Sequence, residues 1–125
     1  MAYDRNNVFA KILRGEIPSA KVYEDAHALA FNDINPQAPV HVLVIPKGKY
    51  VSLDDFAAKA SGPELAGFFK AVGQVARQLG AEKEGYRILA NHGHNAHQEV
   101  PHFHVHIFAG ADLGPMLAKR ARGAK

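Results

Sequence analysis

Three histidines at alternate positions, His102, His104 and His106, are the residues of this sequence best suited to chemistry. If His102-Phe103-His104-Val105-His106-Ile107-Phe108 is a strand, its imidazoles share one face while Phe103, Val105 and Ile107 take the other. Surface strands usually carry Thr, Lys, Glu or Ser, so three histidines in step need a chemical reason. Two are open. Imidazole nitrogens ligate zinc and similar ions at roughly 2.0–2.1 Å. Same-face neighbours lie about 6.6 Å apart and the outer pair about 13 Å, so two can share an ion and three cannot easily. Glu99 is the nearest carboxylate, and His92, His94 and His97 lie in the loop before it. Alternatively, the central imidazole is a nucleophile toward phosphorus. Neutral histidine attacks near pH 7 and forms a phosphorus–nitrogen bond that water can break. Asn91, Gly93, Gln98 and the backbone amides leading into the strand would then donate to phosphoryl oxygens.

The surrounding pattern supplies the elements that must hold these groups. Asn6 and Asn7 can cap a short helix over Val8–Leu13, with Val8, Phe9, Ile12 and Leu13 on one face and Gly15 ending it. Short apolar or β-branched segments at Lys21–Glu24, Ala28–Asn32 and Val40–Ile45 read as antiparallel strands. Ser52-Leu53-Asp54-Asp55 is suited to open a helical turn. Ser61 with Glu64 three residues on, and Pro63 between, is a capping-box signature for a long helix carrying Leu65, Phe68, Phe69, Val72, Val75, Ala76 and Leu79, stopped at Gly80. Strands over Tyr86–Asn91 and Phe103–Phe108 complete a five-stranded, mainly antiparallel sheet with one long and one short helix, an α+β fold.

The 125 residues suffice for one domain with one core, and 47% of them are hydrophobic. No cysteine is present, which excludes a disulfide frame, a thiolate zinc site and a cysteine nucleophile. The apolar run Val40–Pro46 is too short to span a bilayer and the N-terminus has no apolar signal core, so a soluble, cytoplasmic protein is expected. Lys119, Arg120, Arg122 and Lys125 follow the last acidic residue, Asp112, so residues 1–118 hold eleven basic against twelve acidic groups. The core is expected over about 7–117, with 118–125 a basic, flexible tail. A nearly neutral body with its surplus charge on a tail argues against a nucleic-acid-binding face.

The triad and several distant segments together resemble the histidine-triad (HIT) superfamily, and within it the nucleotide-binding Hint branch. The segments are Phe9 to Pro18, Val22-Tyr23-Glu24-Asp25, Ala30 to His41 and Leu43-Val44-Ile45-Pro46-Lys47, with Leu113-Gly114-Pro115-Met116-Leu117 near the end. The resemblance covers about residues 7–117. It implies a homodimer that binds purine nucleoside monophosphates and hydrolyses phosphoramidates such as adenosine monophosphoramidate or lysyl-AMP, with no metal or other cofactor. On this likeness His104 is the nucleophile, His102 and His106 are its flanking partners and His41 is a fourth, orienting histidine. Asp33 would hold the ribose hydroxyls, Phe9, Ile12, Phe31 and Ile34 would wall the base, and Asn91, Gln98 and Glu99 would face the phosphate.

The likeness also implies a C-terminal segment that reaches the partner's site, so removing residues from Asp112 onward would alter leaving-group preference. Two positions depart from the usual pattern. His97 replaces a glycine where backbone approaches the phosphate, and Glu99 stands where many relatives carry Ser or Thr. The loop His92-Gly93-His94-Asn95-Ala96-His97 reads either as a solvated loop or as an added metal clip. A histidine in the third triad position disfavours the nucleotidylyltransferase branch, which carries Gln there. Dinucleoside polyphosphate hydrolysis and a non-catalytic purine-binding or scaffold role remain the competing functions.

Overall fold

The structure, a computed structural model, describes residues 2–118, so the tail expected over 118–125 lies outside the described residues but for Ala118. Five strands, β1 (Lys21–Glu24), β2 (Ala28–Asn32), β3 (Val40–Pro46), β4 (Tyr86–Leu89) and β5 (Val105–Ala109), form one sheet in the order β1-β2-β3-β5-β4. Every neighbouring pair is antiparallel. This is the expected α+β architecture. β3 and β5 lie next to each other at the middle of the sheet, with His41 opposite Phe108 and Leu43 opposite His106.

Alternation along the strands gives the sheet two different faces. Ala28 and Ala30 of β2, Val42 and Val44 of β3 and Val105 and Ile107 of β5 face one side. Helix α3 (Gly62–Gln78) covers that side with Phe68, Ala71, Val72 and Val75. Helix α2 (Leu53–Lys59) adds Phe56, whose ring lies 5.3 Å from Phe68 and 5.2 Å from Phe103. The capping box that opens α3 is complete: Glu64 N–H donates to Ser61 Oγ at 3.2 Å and Ser61 N–H to Glu64 Oε1 at 2.9 Å. Gly67 allows the helix to rest on His27, since a Cβ there would sit 2.2 Å from the imidazole Cδ2.

The opposite face presents Leu29 and Phe31 of β2 with Leu43 and Ile45 of β3, and helix α1 (Val8–Leu13) covers it with Phe9. Asn7 caps α1, its buried side chain accepting from Ala10 N–H at 2.9 Å while donating to the Asp4 carbonyl at 2.7 Å. His41 and His106 share this face through their positions on β3 and β5.

The observed elements differ from the expected ones in helix number and in strand ends. The helices number more than one long and one short: α2 is a full short helix, and α4 (Ala81–Glu84) follows the left-handed Gly80. β4 stops at Leu89 rather than Asn91, and β5 starts at Val105 rather than Phe103. The last shift has a direct cause. The Phe103 N–H donates to the Tyr50 carbonyl at 2.7 Å and the His102 N–H to the Val100 carbonyl at 2.8 Å, so His102 and Phe103 are tied to loops before the ladder begins.

Candidate functional site

A cleft of about 460 Å³ opens between α1 and the histidine face of the sheet, a volume suited to a small-molecule ligand. Phe9, Ile12, Phe31 and Leu43 supply apolar lining, while Asp33, Asn91, Glu99, His104 and His106 supply polar groups. Phe9 meets His104 edge-to-face, ring centroids 5.0 Å apart at 89°, and Phe31 at 5.5 Å. Ile34 also lines the cleft and, at 91% exposed, stands at its mouth.

Only two of the four histidines reach the cleft. His104 and His106 line it with ring centroids 5.0 Å apart, whereas His102 and His41 are buried behind them. Their hydrogen bonds fix which nitrogen carries each proton, because a carbonyl can only accept and a backbone N–H can only donate. His104 Nδ1 lies 2.7 Å from the His102 carbonyl and therefore donates to it. In the neutral ring, that leaves the lone pair on Nε2. His102 Nε2 donates to the Pro46 carbonyl at 2.9 Å, so its Nδ1 accepts from Tyr3 Oη at 2.7 Å. His41 Nδ1 accepts from Gln37 N–H at 3.1 Å, so its Nε2 donates to His106 Nδ1 at 2.9 Å. His106 therefore keeps its own proton on Nε2.

Burial keeps these rings neutral. It pushes His102 down to about 4, and it pushes His106 to about 4 with help from the neighbouring His104 and His41. His104 is also lowered by burial, opposed by its bond to the His102 carbonyl and by the carboxylates of Asp33 and Glu99. His41 is lowered by burial against the pull of Asp33, whose Oδ2 lies 3.4 Å from its Nε2. The Asp33 carboxylate also closes a turn, accepting from Asn35 N–H on Oδ1 at 2.8 Å.

The loop before the triad corrects one expectation. The Gln98 side chain is spent on the loop itself: Nε2 donates to the carbonyls of Val51 at 2.8 Å and Val100 at 3.1 Å, and Oε1 accepts from Gly93 N–H at 3.0 Å. Neither Gln98 Nε2 nor Gly93 N–H is left for a ligand. Both hold the loop in place. The Glu99 N–H, by contrast, makes no hydrogen bond among the described residues. His97 adopts φ 57° and ψ 44°, the left-handed conformation that glycine takes without cost, and its residue lines the cleft.

Asp33, His41 and His106 could bring one ligand atom each within 4.8 Å, the single such trio among the described residues. Its chemistry fits an ion poorly: His41 Nε2 bears a proton, and His106 Nδ1 receives it. His92, His94 and His97 do not join in such a group. Tyr3, Gln37 and Leu43 were not singled out in the sequence; only Leu43 had a signal, because it follows His41 by two residues on β3 and so shares its face.

The HIT domain model matches residues 14–113. An uncharacterised HIT-like protein of Azospirillum brasilense is 67% identical over 117 residues, spanning 94% of this chain and 96% of its own. The purine nucleoside phosphoramidase of Escherichia coli is 41% identical over 113 residues, 90% of this chain and 94% of its own. Among solved structures, a HIT family hydrolase from Clostridium thermocellum superposes with a TM-score of 0.83 at 41% identity, covering 92% of this chain and 99% of the other. By sequence and by fold, the chain belongs to the HIT domain family.

Proposed function

We propose that this protein binds purine nucleoside monophosphates and hydrolyses the phosphorus–nitrogen bond of nucleoside phosphoramidates, using His104 as nucleophile. The observation that carries the reading is the tautomer of His104: its Nδ1–H is committed to the His102 carbonyl, leaving the Nε2 lone pair as the reactive group of a ring that lines the cleft. Attack by Nε2 forms a bond to phosphorus as the phosphorus–nitrogen bond breaks, and the departing amine takes a proton from solvent, which the later attack of water on the nucleotidyl-histidine returns. Water then cleaves the nucleotidyl-histidine, releasing the monophosphate and the neutral imidazole. The His106 Nε2–H is a donor next to the nucleophile for the phosphoryl oxygens, and the Glu99 N–H can serve the same charge. Asp33 at the polar end suits the ribose hydroxyls, and Phe9, Ile12 and Phe31 suit a purine face. The 41% identity to a bacterial purine nucleoside phosphoramidase supports the same substrate class.

The reading includes a homodimer. Edge strand β4 leaves Tyr86, Ile88 and Leu89 exposed, and Phe69 of α3 is 45% exposed. An apolar edge of this kind is suited to pairing with a second copy. Arg87 of β4 donates to the carbonyls of Gly114 at 2.9 Å and Pro115 at 3.3 Å, anchoring the C-terminal segment beside that edge.

Turnover of a fluorogenic adenosine phosphoramidate by the wild type and by His104→Ala tests the assignment. The variant is expected to lose about 10³-fold or more in kcat/KM with AMP affinity nearly kept, because a nucleophile acts in the transition state more than in ground-state binding. Equal rates would refute it.

A further inference from the structure

On the far side of α1 a second cavity, of about 440 Å³, shares no lining residue with the cleft. Helix α1 is the partition between them: Val8, Phe9 and Ile12 look onto the cleft, Ala10 and Leu13 onto the second cavity. The remaining lining is strongly basic, with Arg5 and Arg14 flanking α1 and Lys47 and Lys49 following β3. We propose that this cavity is a binding site for a small polyanion with two or more linked phosphate groups, distinct from the nucleotide cleft.

The charge count sets the ligand class. Arg14 pairs with Glu16 at 2.6 Å and Lys47 with Glu24 at 2.8 Å, while Arg5 and Lys49 form no ion pair among the described residues. The lining therefore carries a surplus of two positive charges in a body whose described residues are nearly neutral overall. The two ion pairs are solvent-exposed and so hold their partners only weakly, and an incoming anion can recruit Arg14 and Lys47 at little cost. Two arginines, with planar donor forks, and two lysines, with mobile point charges, suit phosphate oxygens in number and geometry. Asn6 and Tyr3 add polar groups to the same cavity.

The place of the cavity gives it a further meaning. Tyr3 lines it and donates to His102, whose carbonyl in turn receives the Nδ1–H of His104. The anion site is thus two hydrogen bonds away from the nucleophile, on the side opposite the substrate. Isothermal titration with inorganic tripolyphosphate and with ATP, in protein already saturated with AMP, tests the proposal. Binding of one equivalent of either compound is expected, weakened at least about tenfold in Arg5→Ala/Lys49→Ala. The double variant should keep its circular dichroism spectrum and its affinity for AMP. Tripolyphosphate as the stronger binder assigns the site to a free oligophosphate, and ATP as the stronger binder assigns it to the phosphate tail of a nucleotide. No binding of either compound under AMP saturation, or equal affinity in wild type and double variant, overturns the site.

Discussion

The burial that makes the histidines neutral must also make the fold sensitive to acid, and His102 allows the size of that effect to be worked out. Its ring is 0% exposed, it donates to Pro46 and accepts from Tyr3, and its pKa falls from 6.5 to about 4. In the unfolded chain the ring regains an ordinary value near 6.5. Between those two values the unfolded state binds a proton that the folded state refuses, so stability falls as the pH falls. The contribution is fully present above about pH 6.5, is lost progressively toward pH 4, and amounts to about 3 kcal/mol at about 1.4 kcal/mol per unit. That is a large share of the ~5–15 kcal/mol that holds a domain of this size. His102→Gln replaces the ring with an uncharged side chain that still has one donor and one acceptor. Urea unfolding of both proteins between about pH 4.5 and 7 should show the wild-type stability falling more steeply, by about 1.4 kcal/mol per pH unit. Any packing defect in the variant lowers its curve without tilting it, so the slope is the readout. Parallel curves would mean that His102 titrates in the folded protein as it does in the unfolded one.

Two further substitutions test local geometry. His97→Gly should raise stability by up to about 1 kcal/mol, since a side chain in the left-handed region costs about 1–2 kcal/mol and glycine returns part of that as chain entropy. A loss in thermal unfolding would show instead that the imidazole itself holds the loop. Gly67→Ala should cost about 1–3 kcal/mol through collision with His27, and His27→Ala in the same chain should recover most of it. An additive double variant would remove His27 as the cause.

Local rules made some parts of this molecule readable and hid others. Asn7, Ser61 and Glu64 act within three residues of their partners, so α1 and α3 could be placed from spacing alone. Alternation along the last strand put His106 on one side and Val105 and Ile107 on the other, as the sheet has them, while His41 entered only through the family resemblance. Contacts between distant residues were not legible. Nothing near His102 in the sequence points to Tyr3, 99 positions away, or to the Pro46 carbonyl, and it is these partners that set its tautomer. Gln98 shows the opposite limit. Its type and place suited a phosphate donor, but the carbonyls that occupy its amide come from Val51 and Val100 once the loop has folded. His97 was visible as a departure from the family pattern, while its positive φ required the backbone itself.

The proton positions also bear on the two chemistries open to a cluster of histidines. An ion among Asp33, His41 and His106 needs a lone pair on His41 Nε2, yet the Gln37 N–H at Nδ1 fixes the proton on that nitrogen. Binding must either break the Gln37 bond and flip the tautomer or strip a proton from a neutral imidazole, and in both cases the His41–His106 hydrogen bond is lost. Each neutral hydrogen bond broken costs about 1 kcal/mol. Loss of the bond also frees His106 to turn away from His104. Ion and hydrogen-bond chain are therefore mutually exclusive, and added zinc should slow phosphoramidate turnover while a chelator restores it. The decisive comparison is the rate after exhaustive chelation against the rate after zinc is returned: an enzyme inactive without the metal and active with it would reverse the proton assignments at His41 and His106 and displace His104 as the nucleophile.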